Sequence, residues 1–183
     1  MSFWDLSDGK TAVDTPKDYE ILDGMKPIPN NSDVLAIVDQ AKWAEKDGAA
    51  FVELRWSVMA PEEVKNRKVF HKVWVTDLEP QTVQKKGEAK AKEKRDKARR
   101  MLASIDANAG GNLTRTGDAP TDETLTMHLC NVPMVIKVMV WSMKGSDGTD
   151  MAGNWVSAVS PSDKPLQISS EPLPKTSAAP APY

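Results

Sequence analysis

The strongest constraint on the fold is strict alternation in two neighbouring stretches, residues 50–59 and 67–75, followed by an abrupt change to helical periodicity. In the first, Val52, Leu54, Trp56 and Val58 share one face, and Phe51, Glu53, Arg55, Ser57 and Met59 share the other. Successive strand side chains point to opposite faces, so the first set predicts a core and the second a surface. In the second, Val69, His71, Val73 and Val75 alternate with Lys68, Phe70, Lys72 and Trp74. Solvent faces seldom carry two large aromatics and cores seldom carry two lysines. Such a face suits something flat and anionic. The polar residues 61–66 predict a hairpin connection between the two strands.

Residues 34–43 predict an earlier strand, with Leu35, Ile37, Ala41 and Trp43 on one side and Val34, Ala36 and Val38 on the other. That pattern reads as a strand covered on both faces. Asp47-Gly48 supplies a tight turn into the next strand. Beyond Val75, residues 81–105 are rich in helix formers, with Gly87 dissenting, and Ala98, Met101, Leu102 and Ile105 form one apolar stripe. Residues 122–130 predict a short second helix that brings Leu125 and Leu129 inward. Residues 134–143 predict a fourth strand with Ile136, Val138 and Val140 inside and Val135, Lys137, Met139, Trp141 and Met143 outside. A turn over 144–149 leads to a last strand over 154–160.

Strand, strand, strand, helix, strand, strand is the order of the oligonucleotide-binding (OB) barrel. The expected class is therefore mainly β, a five-stranded antiparallel OB-fold barrel with a long helix between strands 3 and 4. Residues 1–32 are expected to pack on it as an arm, pinned by Phe3 and Trp4, and the barrel to span 33–160. Residues 161–183 hold six of the 13 prolines. They predict a disordered Pro/Ser/Ala-rich tail from about Lys164.

The net charge of −2 conceals nine cations against three carboxylates within residues 85–100. A solvated helix face with Glu88, Glu93 and Asp96 as partners accounts for that run, as does a surface that attracts phosphate. The single Cys130 excludes an internal disulfide and fits a reducing cytoplasm, and no apolar run reaches membrane-spanning length. The start carries no secretory pattern, so a cytoplasmic location without membrane association is expected. Catalysis finds no support: His71 falls on the aliphatic face, and neither metal-ligand spacing, a phosphate-cradling glycine loop nor a nucleophile elbow occurs. Asp147-Gly148-Thr149-Asp150 predicts a hairpin turn rather than a cation loop. No enzyme, metal or cofactor is expected.

Two ingredients suffice to bind single strands without base preference: cations along the phosphates and aromatic faces against the bases. Phe51, Phe70, Trp74 and Trp141 are the candidates for stacking; Arg55, Arg67, Lys68, Lys72 and Lys137 are the candidates for phosphate. Trp43 and Trp56 belong to the core. The alternative use of the same aromatic–basic face is to bind a protein partner or to form a homodimer.

Several short motifs carry a resemblance. They are Phe3-Trp4-Asp5-Leu6 with Ser7-Asp8-Gly9, Pro27-Ile28-Pro29, Phe51-Val52-Glu53-Leu54-Arg55-Trp56, Asn66-Arg67-Lys68-Val69 and Pro133-Met134-Val135-Ile136-Lys137-Val138. Through them, residues 1–160 resemble a bacteriophage family of small single-stranded DNA-binding proteins encoded among replication and recombination genes. The family pattern has Gly-Lys-Pro leading into the fourth strand, where this chain has Asn131-Val132-Pro133. The resemblance implies an OB fold, sequence-tolerant binding of single-stranded DNA and no catalysis. It also implies a role in phage replication or recombination in the host cytoplasm, beside phage or host proteins of those processes. RNA binding and homo-oligomers are left open.

Overall fold

A computed structural model of the 183-residue chain describes residues 11, 26–76 and 80–170. The elements follow as β1 (Ser32–Lys46), β2 (Ala49–Ala60), β3 (Lys68–Thr76), α1 (Pro80–Lys86), α2 (Glu88–Asn108), α3 (Asn112–Arg115), α4 (Asp122–Leu129), β4 (Met134–Lys144) and β5 (Asp150–Ser160). The strands make one antiparallel sheet in the order β3-β2-β1-β4-β5. The protein is mainly β in its core, with the helices inserted after the third strand.

β1 is shared by the two halves of the sheet. Its first residues, Ser32 to Ala36, pair with β4, and Leu35 to Lys46 pair with β2. Val38 faces Trp56 while Gln40 faces Arg55, so Asp39 is an extra residue, a β-bulge. One extra residue inverts the alternation beyond it. Val34, Ala36 and Val38 before the bulge therefore share the core with Ala41 and Trp43 after it. This corrects the expectation of a strand covered on both faces: the apolar residues change parity because the backbone does. Asp47 and Gly48 then turn the chain with φ of 53° and 80°, the two positive values that a two-residue hairpin requires.

The expected inner faces of the hairpin are buried: Val52, Leu54, Trp56 and Val58 on β2, and Val69, Val73 and Val75 on β3. The predicted helix divides at Gly87 (φ 85°) into α1 and α2. α2 lays Leu102 and Ile105 on the core, with Ala98 and Met101 at its margin. At its end the buried Asp106 accepts the Leu113 amide at 3.0 Å and the Thr114 amide and hydroxyl at 2.8 Å each, which folds the chain back into α3. α4 begins with a reciprocal cap between Thr121 and Thr124 and buries Leu125 and Leu129. Asn131 follows with φ 64°, the left-handed region that glycine favours and asparagine tolerates. The chain thus turns toward β4 without the glycine of the phage pattern.

The expected closed barrel is not formed. Among the described residues no ladder joins β3 to β5, although these two edges approach each other. The segment just before β1 is held in the gap between them. Arg67, before β3, donates to the Lys26 carbonyl. Asn154 of β5 grips Ile28 through both its backbone groups, at 2.8 and 2.9 Å, and Asn30 Oδ1 accepts the Val140 amide at 3.0 Å. Ile28 itself is buried in the core. Beyond β5 the chain returns to the start of β1. Gln167 exchanges two backbone hydrogen bonds with Asp33 (2.8 and 3.1 Å), and Ser169 donates its amide to Ser32 Oγ at 3.0 Å. Residues 161–170 therefore continue the packed domain; residues 171–183, like Phe3 and Trp4, lie outside the described residues. No helix among the described residues is long and apolar enough to cross a membrane.

His71 turns inward, as the alternation requires, and its Nδ1 is buried without a hydrogen-bond partner. Burial disfavours the imidazolium and lowers its pKa from 6.5 to about 4. The native state then binds fewer protons than the unfolded chain between these values, so stability is lost as pH falls from 6.5 toward 4. The loss from this group is of order 3 kcal/mol. In urea unfolding, the stability difference between wild type and His71→Leu is expected to move in favour of Leu across that window; a difference independent of pH contradicts the assignment.

Candidate nucleic-acid interface

The register of the β2–β3 hairpin stacks the outward side chains in rows. Ser57 faces Lys68, Arg55 faces Phe70, Glu53 faces Lys72 and Phe51 faces Trp74. β1 extends the rows, with Gln40 beside Arg55, Lys42 beside Glu53 and Ala44 beside Phe51. The outer face of three strands thus carries most of the candidate residues, and they differ sharply in what they offer.

Phe70 is the open aromatic. It is 53% exposed and stands between two hollows. One, of about 100 Å³, is lined by Gln40, Lys42, Glu53 and Arg55. The other, of about 430 Å³, lies in the gap between β3 and β5 and is lined by Pro27, Arg67, Lys68, Trp141, Gly153 and Asn154, among others. Phe70 forms a wall of both.

Trp141 reaches the larger hollow from β4. Its cross-strand neighbour is Gly153, and the indole lies flat on that glycine. A Cβ built on Gly153 would stand 2.6 Å from Trp141 Cζ2. The missing side chain is what lets the ring lie against β5 and leaves Trp141 facing the same hollow as Phe70.

Phe51 and Trp74, expected as stacking platforms, are only 5% and 8% exposed. They are a directly opposed pair, and large rings in such a pair meet each other before they meet a ligand. Their centroids lie 4.6 Å apart at an interplanar angle of 42°, with Ala49 and Ala44 completing a small satellite cluster. Lys72 places its ammonium 5.1 Å above the Phe51 ring. These three side chains stabilise the far end of the hairpin and present one cation, with no open ring.

The remaining cations also have partners. Arg55 and Lys68 both bond to Asp39, and Lys68 reaches Ser57 Oγ at 2.9 Å as well. Arg67 is tied to the neutral Lys26 carbonyl. Lys137 belongs to a separate cluster on β4, bonded to Asn31 Oδ1 at 3.2 Å and 3.7 Å from Asp33, which also pairs with Lys164. The structure therefore brings Arg55, Arg67, Lys68, Phe70 and Trp141 together and sets Phe51, Lys72, Trp74 and Lys137 apart. On α2 the basic run is laced internally: Glu93 bonds Lys97 and Lys90, and Glu88 bonds Lys92. Hydrogen bonds from Lys97 and Lys90 pull the Glu93 carboxyl down to about 2.

Asp39, Gly153 and Asn154 were not candidates in the sequence. The apolar parity change of β1 is the one signal that locates Asp39. Among the described residues no group of carboxylates, histidines or cysteines is arranged to hold a metal. Asp147 accepts the Thr149 amide and hydroxyl at 3.0 and 2.6 Å, closing the β4–β5 turn.

Gly153→Ala is expected to push the Trp141 indole off β5 and to cost about 1–3 kcal/mol by overpacking. Urea unfolding and the near-ultraviolet circular dichroism of the tryptophans measure both effects. Unchanged stability with an unchanged spectrum would mean that the indole does not rest on Gly153.

No protein-family model matches the sequence, and no curated protein matches it.

Proposed function

We propose that this protein binds single-stranded DNA without base selectivity, through the outer face of β2 and β3 and the hollow between β3 and β5. The observation that carries this reading is Phe70: a half-exposed aromatic ring that lines one hollow with Arg55 and another with Arg67, Lys68 and Trp141. A base of any identity offers a π-face to Phe70 or Trp141, while phosphates on either side meet the cations. The strand order, the shared and bulged β1 and the helix after β3 support an OB-like fold, left open between β3 and β5. In that fold the second and third strands form the usual binding face. The role is binding, protecting strands exposed in phage replication or recombination in the cytoplasm of a bacterial host. Proteins of those processes are the further partners of the reading.

The rival reading is a protein-interaction or dimerisation face. The exposed Met143 and Met151, directly opposed across β4 and β5, speak for it. Titration of an oligo-dT with the protein at several salt concentrations separates the two. The proposal expects quenching of tryptophan emission and a log affinity that falls with log salt by about 0.7 per phosphate neutralised. Phe70→Ala is expected to weaken binding by roughly 1–3 kcal/mol without loss of fold. Absence of binding at low salt, with concentration-dependent self-association, would support the rival instead.

A further inference from the structure

Three charged groups converge on the outer face at the bulge of β1. Asp39 accepts Arg55 Nε on Oδ1 at 2.6 Å and Lys68 Nζ on Oδ2, one cation to each oxygen. The Asp39 side chain is 17% exposed, against 40% and 44% for Arg55 and Lys68, so solvent meets the cations before it meets the carboxylate. Burial raises the Asp39 pKa, but hydrogen bonds from Lys68 and Arg55 outweigh it and hold the carboxyl below the usual range. The carboxylate is therefore charged at neutral pH. The bulge fixes its place, because the unpaired residue of β1 stands level with the Arg55 row, and the Arg55 row is the Phe70 row.

Two cations on the two oxygens of one carboxylate is an arrangement that the two non-bridging oxygens of a phosphodiester also satisfy. Resting on the binding role proposed above, we infer that Asp39 is an internal counter-anion that sets affinity: it holds Arg55 and Lys68 beside Phe70, and a nucleic-acid phosphate must compete with it for both. Half-exposed ion pairs are weak, so the phosphate can displace them. The condensed counterions lie on the nucleic acid; a cation still shared with Asp39 neutralises less phosphate charge and releases fewer of them, so its part in the salt dependence is muted. Asp39 thus tempers binding while keeping both cations ordered on the face.

The test is titration of a dT oligonucleotide against the full chain by fluorescence anisotropy over a range of salt. It uses wild type, Asp39→Asn, the triple variant Asp39→Asn/Arg55→Gln/Lys68→Gln, and Asp118→Asn in the α3–α4 connection as a control of equal charge. Asp39→Asn is expected to bind about 3- to 10-fold tighter at low salt, with a slope steeper by about 0.7–1.4. The triple variant is expected to lose this gain, and Asp118→Asn to match wild type. A second arm leaves the bulge intact. Arg55→Gln is expected to flatten the slope by less than half as much as Arg67→Gln, whose guanidinium bonds a neutral carbonyl. Equal or weaker binding by Asp39→Asn, the same gain from Asp118→Asn, or equal slope changes for Arg55→Gln and Arg67→Gln would overturn the inference. Should wild type bind while these results fail, Asp39 is not a competitor and the binding role stands. If no variant binds at any salt, both fall.

Discussion

One extra residue in β1 governs the rest of the architecture. Without the bulge at Asp39, the apolar residues of β1 would divide between two faces, and neither Ala41 nor Trp43 would join the core that Val34, Ala36 and Val38 begin. The same strand serves both halves of the sheet, pairing β4 at its start and β2 beyond, with a second register shift at Leu35/Ala36 where the two pairings overlap. The same inserted residue places a carboxylate on the outer face, between Arg55 and Lys68. Core and surface charge share that origin.

The outer face follows from competition among its own side chains. Aromatics placed opposite each other, as Phe51 and Trp74 are, satisfy one another and withdraw from solvent. Phe70 stands opposite an arginine rather than a second ring, and it is half-exposed. Trp141 stands opposite a glycine, whose missing side chain lets the indole lie against β5. Whether an outward aromatic becomes a platform or a small core is decided by its cross-strand neighbour.

That rule also explains what could be read in the sequence. Strand and helix order, the inward faces of β2 and β3, those of β4 except that Val135, expected outside, is buried as well, the apolar stripe of α2 and the burial of Leu125 and Leu129 were legible, because each rests on local periodicity. The two-sided appearance of β1 was misleading only for want of a pairing partner, against which a parity change shows itself as a bulge. The burial of Phe51 and Trp74, the grip of Asn154 on Ile28 and the return of residues 161–170 to β1 depend on contacts between distant segments. Periodicity holds no record of these. The open seam between β3 and β5 belongs to the same class, since it depends on residues 26–31 lying between the two edges.

In the proposed binding mode nucleic acid lies on the β2–β3 face and in the seam beside it, rather than along the basic helix. Ultraviolet cross-linking of the full chain to oligo-dT, followed by mass spectrometry of the linked peptides, tests this directly. Cross-links are expected at Phe70 and Trp141 and should disappear when unlabelled single strand is added. Cross-links confined to residues 85–100 of the helical segment, or none at all under conditions of saturation, would contradict it.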